Sequence, residues 1–329
     1  MLEQNVPSTV QVGGRSSRLA VVQSEHIAAL IDSTFPQVTN IPITKFKTLG
    51  DNVLNKPLYT FGGKAVWTKE LEDKLDNKEL DIVVHSLKDV PTTLPDGFIL
   101  GGITKRVDPS DCVCFKAGSK YKTLKDLPEG AVVGTSSIRR SAQLRRIYPT
   151  LKFESVRGNL LTRLGKLDDP ESPFSCIILA SAGLIRQELA HRISYTLNKD
   201  EMYHAVGQGA LGLEIRKNDE IMQYVCDMIC DYETTICCLA ERSLMRSLEG
   251  GCSVPIGVES YFNHETKELT LHGCVISVDG QTSVESSITK KIEDVHMDST
   301  EVGILLSAEL CKHGAKEILE SIRFEDIKQ

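Results

Sequence analysis

The sequence predicts an α/β fold built around a mostly parallel, doubly wound sheet and followed by a small C-terminal α+β domain. Apolar runs alternate with amphipathic helical stretches through the first two thirds of the chain, which is the pattern of successive βαβ units. From about Val254 this alternation gives way to closely spaced strands and one long helix. Since 329 residues exceed what a single core usually holds, two or three domains are expected.

Apolar runs between polar residues predict the buried strands of the α/β part. The clearest are 80–85 (LDIVVH), 131–133 (AVV) and 176–180 (CIILA). Amphipathic periodicity predicts the helices, which span 17–33, 67–77, 137–147, 158–167, 181–190 and 232–249.

The tail has a different organisation. Alternating patterns predict strands at 254–260, 269–278 and 283–292, and Asp279-Gly280 is a favourable hairpin turn between the last two. A helix over about 299–321 then closes the fold. The change of pattern places a domain boundary near residue 231.

Composition and charge restrict the class of protein. Apolar residues make up 41% of the chain and charged residues 25%, as in ordinary globular proteins, and no apolar run is long enough to span a bilayer. The first residues lack a signal peptide, so a cytoplasmic location is expected. A net charge of −7 argues against nucleic-acid binding. Without coiled-coil repeats, a monomer is expected.

The ten cysteines include no Cys-x-x-Cys pair and have no nearby histidine pair. The sequence therefore predicts neither a structural zinc site nor a disulfide framework. Most of the cysteines lie among apolar residues and are expected to be small buried side chains.

Basic residues concentrate in one segment of this acidic chain. Between residues 139 and 166 the only acid is Glu154, whereas the basic residues there are Arg139, Arg140, Arg145, Arg146, Lys152, Arg157, Arg163 and Lys166. Local concentration of arginine in an acidic protein predicts an anionic ligand.

Segment 134–140 (GTSSIRR) places two of these arginines in the first turn of a predicted helix. Cations there oppose the helix dipole, and the conflict disappears if an anion binds to the helix start and to both guanidinium groups. The alternative is a pair of solvated surface arginines. Segment 155–163 (SVRGNLLTR) adds Arg157 and Arg163, either as a second wall of the same pocket or as exposed side chains.

Segment 85–91 (HSLKDVP) follows the predicted strand 80–85, at the carboxyl end where open α/β sheets bind ligands. Pro91 disfavours helix before it, so Lys88 and Asp89 are expected in a loop. They are either a surface ion pair or a functional pair, in which the carboxylate faces a developing cation and the lysine holds an anion.

Cys252 differs from the other cysteines because it follows a glycine pair in 248–255 (LEGGCSVP), on a turn between a helix and a strand. An open loop near arginines would favour a reactive thiolate, although an ordinary loop cysteine fits equally well. Residues 48–66 form a long irregular stretch typical of a lid. The glycine-rich segment 207–212 matches no nucleotide-binding fingerprint and suits a tight crossover between domains.

Together these segments resemble the hydroxymethylbilane synthase (porphobilinogen deaminase) family, in particular its fungal members. The likeness runs almost from end to end in the right order. It is carried by 12–20 (VGGRSSRLA), 85–89 (HSLKD), 134–140 (GTSSIRR), 156–159 (VRGN), 205–212 (AVGQGALG) and 248–255 (LEGGCSVP). Gly14, Arg18 and Leu161 depart from the common family pattern, and none of the three falls on a residue expected to be catalytic.

The resemblance implies a transferase of heme and porphyrin biosynthesis that joins four porphobilinogen molecules into linear hydroxymethylbilane and releases ammonia. It implies a dipyrromethane cofactor held by a thioether to Cys252, and Asp89 as the catalytic carboxylate. The positions that would bind substrate and cofactor carboxylates are Arg15, Ser17, Lys88, Thr135, Ser136, Ser137, Arg139, Arg140, Arg157, Arg163, Arg186 and Gln208.

The family fold has two periplasmic-binding-protein-like α/β domains and a third α+β domain that carries the cofactor cysteine. The resemblance therefore implies one domain from 1–106 with 207–230, a second from 107–206 and a third from 231–329. From the residues alone, a non-catalytic anion-binding protein would also explain the arginines. A cysteine-nucleophile hydrolase is a weaker alternative, because no histidine partner for Cys252 is evident.

Overall fold

The computed structural model describes residues 2–47, 69–248 and 254–322. The predicted lid at 48–66, the start of the predicted helix 67–77 and Cys252 lie outside the described residues.

The described strands fall into three sheets. In chain order they are β1 (Val12–Arg15), β2 (Ile43–Phe46), β3 (Ile82–Ser86), β4 (Phe98–Ile103), β5 (Asp111–Phe115), β6 (Val132–Gly134), β7 (Lys152–Glu154), β8 (Phe174–Ala180), β9 (Tyr195–Thr196), β10 (Leu211–Arg216), β11 (Ile256–Asn263), β12 (Glu268–Ile276) and β13 (Ser283–Lys291). The described helices are α1 (Arg18–Thr34), α2 (Lys69–Asp76), α3 (Ile138–Ile147), α4 (Leu160–Asp168), α5 (Ser181–Arg186), α6 (Glu220–Ile229), α7 (Tyr232–Ser247), α8 (Val295–Lys312) and α9 (Ala315–Ser321).

The first two sheets share one topology. The first has the order β2-β1-β3-β10-β4 and the second β7-β6-β8-β5-β9. In each, the fourth strand runs antiparallel to its neighbours while the first three are parallel. Strand β10 returns to the first sheet after the chain has completed the second. The mostly parallel architecture predicted from the sequence is confirmed.

Helices cover both faces of each of these sheets, as a doubly wound fold requires. In β8, Cys176 and Ile178 point into one apolar core, which α3 closes with Leu144. The intervening Ile177 and Leu179 point into a second core closed by α4 and α5. This period-two alternation explains why 176–180 is apolar throughout: both faces of the strand are buried.

The third sheet is the antiparallel β11-β12-β13, and α7, α8 and α9 pack against it over one core. The Asp279-Gly280 turn joins β12 to β13 as predicted, with Gly280 at φ 76°. The prediction of one helix over 299–321 is wrong. Helix α8 already begins after Asp294, which caps it by accepting from the backbone N–H of Met297 (2.7 Å), and the chain breaks at Gly314 (φ 99°) before α9.

One buried ion pair ties the two crossing segments to the third sheet. Arg106, between β4 and β5, donates to both carboxylate oxygens of Glu241 on α7 (2.9 and 2.8 Å). Glu241 also accepts from the backbone N–H of Gly207 (2.7 Å), which lies in the returning crossover. Burial would raise the pKa of Glu241, but Arg106 outweighs it and the pKa falls to about 2. Glu241 therefore fixes α7 to the junction of the first two sheets.

Candidate active site

Two parallel strands of the first sheet end at one edge and open a cleft there. Strands β1 and β3 are neighbours, so Arg15 and Ser86 lie at the same carboxyl edge. Ser17 caps α1 beside them, accepting from the backbone N–H of Ala20 (3.4 Å). The lining of the cleft includes Arg15, Ser17, Gln23, His85, Ser86 and Asp89. The structure thus brings together Arg15, Ser17 and Asp89, which the sequence had linked only through the family resemblance.

Asp89 lies on a turn and not in an irregular loop. Residues Leu87–Asp89 form one turn of 3₁₀ helix, closed by the backbone N–H of Val90 donating to the carbonyl of Leu87 (3.1 Å). The prediction of a loop at Lys88 and Asp89 is corrected in this respect: Pro91 ends the helix but leaves room for this single turn before it. Leu87 and Val90 are buried whereas Asp89 is exposed, so the turn presents the carboxylate to the cleft.

Arg139 and Arg140 are not solvated surface residues, since they are only 6% and 7% exposed. Both contact Asp111 at the start of β5: Arg139 Nη1 donates to Oδ2 (2.7 Å), and Arg140 donates to Oδ1 through Nε (3.0 Å) and Nη2 (2.7 Å). The carboxylate of Asp111 therefore lies beside the first turn of α3, while the anionic ligand expected there stays a prediction. Burial would raise the pKa of Asp111, and the two guanidinium groups hold it well below its usual range.

Gln208 connects this cluster to Lys88. Its Nε2 donates to the carbonyl of Pro109 (2.6 Å) and to Asp111 (3.0 Å), while its Oε1 accepts from Lys88 Nζ (3.4 Å). Burial, and then the charge of Arg140, lower the pKa of Lys88 to about 8. Lys88 therefore titrates far closer to neutrality than an ordinary lysine.

Arg163 brings the second sheet up to Asp89. Its Nε donates to the carbonyl of Gly158 (2.7 Å), which holds the guanidinium at the start of α4. Burial, followed by the positive charges of Arg140 and Arg157, lowers the pKa of Arg163 to about 10. The carboxylate of Asp89 acts in the opposite direction on the same group. The charge of Asp89, beside the first sheet, therefore acts on Arg163, which lies beside the second sheet. Arg157 is exposed.

The hydroxyl residues before α3 are ordered by local bonds. Thr135 Oγ1 accepts from the backbone N–H of Ser137 (3.2 Å), and Ser136 Oγ lies 2.8 Å from both Ser155 Oγ and the carbonyl of Val156. These bonds connect the segment that begins α3 to the segment that leads into α4. The two arginine-bearing motifs are therefore adjacent in space.

Arg186, at the end of α5, lies between the second sheet and the first. Its Nη2 donates to the carbonyl of Gly209 in the returning crossover (2.8 Å). Burial lowers its pKa to about 10. It also helps to lower the pKa of His26 on α1, although burial of the histidine contributes more. Arg186 thus lies at the junction of the two sheets.

Two charged residues that contact this site were not predicted from the sequence. Asp111 is an acid at the start of an apolar strand, a pattern too common to signal a partner. Arg242 lies in α7 and donates to the carbonyl of Val90, the residue directly after Asp89. Val90 is 152 positions earlier in the chain. In residues 2–47, 69–248 and 254–322 no group of His, Cys, Asp or Glu is placed to hold a metal ion. Within the same residues, no helix is long and apolar enough to cross a membrane.

Chemically, this site suits a ligand with several negative charges and a positive reacting centre. The exposed carboxylate of Asp89 acts electrostatically on two cations, Lys88 on its own turn and Arg163 on α4. Carboxylates of a ligand can pair with the cations, while Asp89 can stabilise positive charge that develops between them.

Comparison with known proteins decides which chemistry this is. Residues 10–224 match the family model described as porphobilinogen deaminase, dipyromethane cofactor binding domain, and residues 235–312 match the model of its C-terminal domain. The chain belongs to the porphobilinogen deaminase family. The porphobilinogen deaminase of Saccharomyces cerevisiae is 58% identical over 98% of this chain and 99% of its own. That of Kluyveromyces lactis is 59% identical over 97% of this chain and 98% of its own.

As a porphobilinogen deaminase family member, the chain polymerises porphobilinogen into hydroxymethylbilane in tetrapyrrole synthesis and uses a dipyrromethane cofactor. This decides between the alternatives left open by the residues, in favour of the enzyme. Among solved structures, the second substrate binding domain of a putative amino acid ABC transporter from Streptococcus pneumoniae aligns with 67% of this chain and 91% of its own at a TM-score of 0.42 and 11% identity. That likeness is too weak to support an inference.

Proposed function

We propose that this porphobilinogen deaminase family member builds its product on a primer attached to Cys252, with Asp89 facing the pyrrole that reacts. The observation that carries the proposal is the position of Asp89. It is an exposed carboxylate on a rigid turn, and its charge acts on Lys88 from its own turn and on Arg163 from the opposite sheet. A carboxylate held among cations is suited to a ligand that is anionic at its edges and becomes cationic at its centre.

The cations fit the ligand because each pyrrole unit carries an acetate and a propionate. Guanidinium groups bind carboxylates with two parallel hydrogen bonds, and hydroxyl groups and amides can complete the shell. We assign carboxylate binding to Arg15, Ser17, Lys88, Thr135, Ser136, Ser137, Arg139, Arg140, Arg157, Arg163, Arg186 and Gln208. Of the arginines, Arg157 is the most open to solvent, and it is suited to meet a growing chain first.

Arg139 and Arg140 are assigned a double task. Asp111 holds one edge of each guanidinium group, so each enters the site already oriented. Arg139 makes its bonds to Asp111 and to the carbonyl of Tyr203 through Nη1, so Nε and Nη2 can bind a ligand carboxylate without further loss of side-chain entropy. Arg140 also donates Nη1 to the carbonyl of Ile178 (2.9 Å), which leaves it only the second N–H of each Nη for a ligand.

Asp89 stabilises charge in the chemical step. Loss of ammonia from porphobilinogen leaves a cationic pyrrole whose N–H becomes more acidic. A fixed carboxylate facing that N–H accepts the hydrogen bond and opposes the charge where it forms, with little reorganisation. When bound, the cofactor supplies the pyrrole carbon to which the next unit is joined.

Intact-protein mass spectrometry tests the attachment. The purified enzyme should exceed the mass of its polypeptide by two porphobilinogen units less two ammonia molecules, and the added mass should map to the peptide that contains Cys252. Cys252→Ser should have the polypeptide mass alone. Cys311→Ser, which alters a half-buried cysteine of α8, should keep the added mass and serves as the matched control. An unmodified wild-type chain, or added mass retained in Cys252→Ser, would refute the assignment.

The affinity for porphobilinogen should fall as the pH rises through about 8. The pKa of Lys88 is lowered to about 8 by burial and by Arg140, so its charge is lost in this range. A substrate carboxylate binds the charged form, and KM should therefore increase above that pH. In Lys88→Arg the increase should be smaller, because a guanidinium stays protonated. Steady-state KM between about pH 6.5 and 9.5 measures this; identical pH profiles for the two enzymes would exclude Lys88 as the titrating group.

The organisation of the whole chain is also proposed. We infer a cytoplasmic monomer that binds porphobilinogen as its partner and does not bind nucleic acid, in keeping with a net charge of −7. Its domains are taken as 1–106 with 207–230, 107–206, and 231–329, the third carrying Cys252. Supporting this division, β10 lies in the first sheet, and Asp231 caps the helix that begins the last segment.

A further inference from the structure

Arg242 on α7 binds the chain directly after Asp89. Its Nη1 donates to the carbonyl of Val90 (3.0 Å) and its Nη2 to the carbonyl of Pro91 (2.7 Å). Arg242 is only 6% exposed. A buried guanidinium that spans two consecutive carbonyls fixes both the position and the direction of that backbone.

This contact completes the support of the Asp89 turn. On the near side, the backbone N–H of Leu87 donates to the carbonyl of Ala210 (3.0 Å), and Val90 N–H closes the turn onto Leu87. On the far side, Arg242 holds the two residues that follow. Asp89 is thus the exposed member of a turn whose backbone is held on both sides, by Ala210 directly before β10 and by α7.

Helix α7 is itself held in place next to Arg242. The preceding residue, Glu241, is fully buried and binds Arg106 and the backbone N–H of Gly207 from the two crossing segments. The same helix leads towards Cys252, which follows Leu248 by four residues. Helix α7 therefore connects the turn of Asp89 to the two crossing segments.

We propose that Arg242 is a positioning residue for the reaction, setting the Asp89 carboxylate relative to the pyrrole that reacts. The inference rests on the proposed role of Asp89. Displacement of a catalytic group by about 1 Å can cost about a hundredfold in rate. Loss of the Arg242 contact should therefore reduce turnover without weakening the carboxylate grip, which other side chains provide.

Arg242→Gln should lower kcat for hydroxymethylbilane formation by about 10- to 100-fold. KM for porphobilinogen and the cofactor mass should stay unchanged. The matched control is Arg216→Gln, because Arg216 also donates to two backbone carbonyls, those of Leu75 and Leu80 (2.9 and 2.5 Å), at the opposite end of β10. It should lower Tm while leaving kcat within about twofold of wild type. A loss of Tm in Arg242→Gln with normal kcat, or a rise in KM with kcat preserved, would overturn the inference.

A double variant separates positioning from general damage. In an Asp89→Glu background, where the carboxylate is already displaced, Arg242→Gln should reduce kcat by less than about threefold, since residues that act as one unit are not additive. A full multiplicative loss would contradict positioning through Asp89. Should Arg242→Gln fail to fold, Arg242→Lys replaces it under the same criteria, because a lysine cannot span both carbonyls. If Asp89→Asn retained turnover, the proposed function itself would be refuted. If Arg242→Gln retained turnover while Asp89→Asn lost it, only the positioning role of Arg242 would be refuted.

Discussion

Replacing Asp89 with asparagine is expected to lower kcat by about 10³-fold or more, while the cofactor mass and KM stay close to wild type. The amide keeps the size and shape of the side chain but loses its negative charge, so the cation formed by loss of ammonia has no fixed counter-charge. The turn should survive, because its bonds are made by the backbone of Leu87 and Val90 and by Arg242. Steady-state assays of hydroxymethylbilane formation, with intact mass measured on the same sample, check both halves of the expectation.

Asp96→Asn provides the control for Asp89→Asn. Asp96 is another exposed aspartate, and it lies in the segment that follows the same turn. Its replacement makes the same chemical change a few residues away and should leave kcat unaltered. Turnover near the wild-type value in Asp89→Asn would remove Asp89 from the chemical step. A loss of bound cofactor would show instead that Asp89 serves assembly of the holoenzyme.

Local patterns predicted the parts of this site that depend on nearby residues. Asn159 was expected at the start of a helix, and it caps α4 by accepting from the backbone N–H of Thr162 (2.9 Å). The apolar run 176–180 was expected to be a buried strand, and it lies at the centre of the second sheet. Such features are encoded within a few positions of one another, so composition and spacing are enough to find them.

Long-range pairing could not be predicted in the same way. Asp111 and Arg140 are 29 positions apart in the chain, and Arg106 and Glu241 are 135 positions apart. Each is a charged residue of ordinary local sequence, and only the fold determines its partner. The conflict between two arginines and the dipole of α3 did predict a nearby anion, but a ligand and an internal aspartate satisfy that requirement equally well. Asp111 supplies a negative charge at this place, and the predicted ligand remains a prediction.

The prediction of one closing helix over 299–321 was wrong for a simpler reason. Its predicted start at 299 overlooked Asp294, whose side chain caps α8 five residues earlier. Its predicted continuity ignored Gly314, although glycine commonly ends a helix by adopting a left-handed conformation. Both signals are local and were available in the sequence, so this error came from weighting apolar periodicity above the capping residues.

A large loss of stability is expected when Asp111 is replaced with asparagine. Asp111→Asn removes the counter-charge of Arg139 and Arg140 while keeping the shape of the side chain, and both guanidinium groups stay buried. Removing one partner of a buried pair typically costs about 3–5 kcal/mol, because the remaining charge is left uncompensated. Thermal unfolding at neutral pH should accordingly show Tm lower by about 5–10 °C.

Asp168→Asn tests whether the loss of stability in Asp111→Asn comes from the burial of the ion pair or from ion pairing alone. Asp168 binds Arg192 through two bonds of similar length (2.8 and 2.9 Å), but the two side chains are 32% and 21% exposed, so its loss should cost less than about 1 kcal/mol.

The pH dependence of stability gives a second check. Because the pKa of Asp111 is lowered in the folded state, its contribution is complete above the ordinary value of 3.8 and declines as the pH falls below it. The difference in Tm between wild type and Asp111→Asn should therefore shrink in acid. Equal losses in Asp111→Asn and Asp168→Asn would mean that the arginine pair does not depend on its buried aspartate.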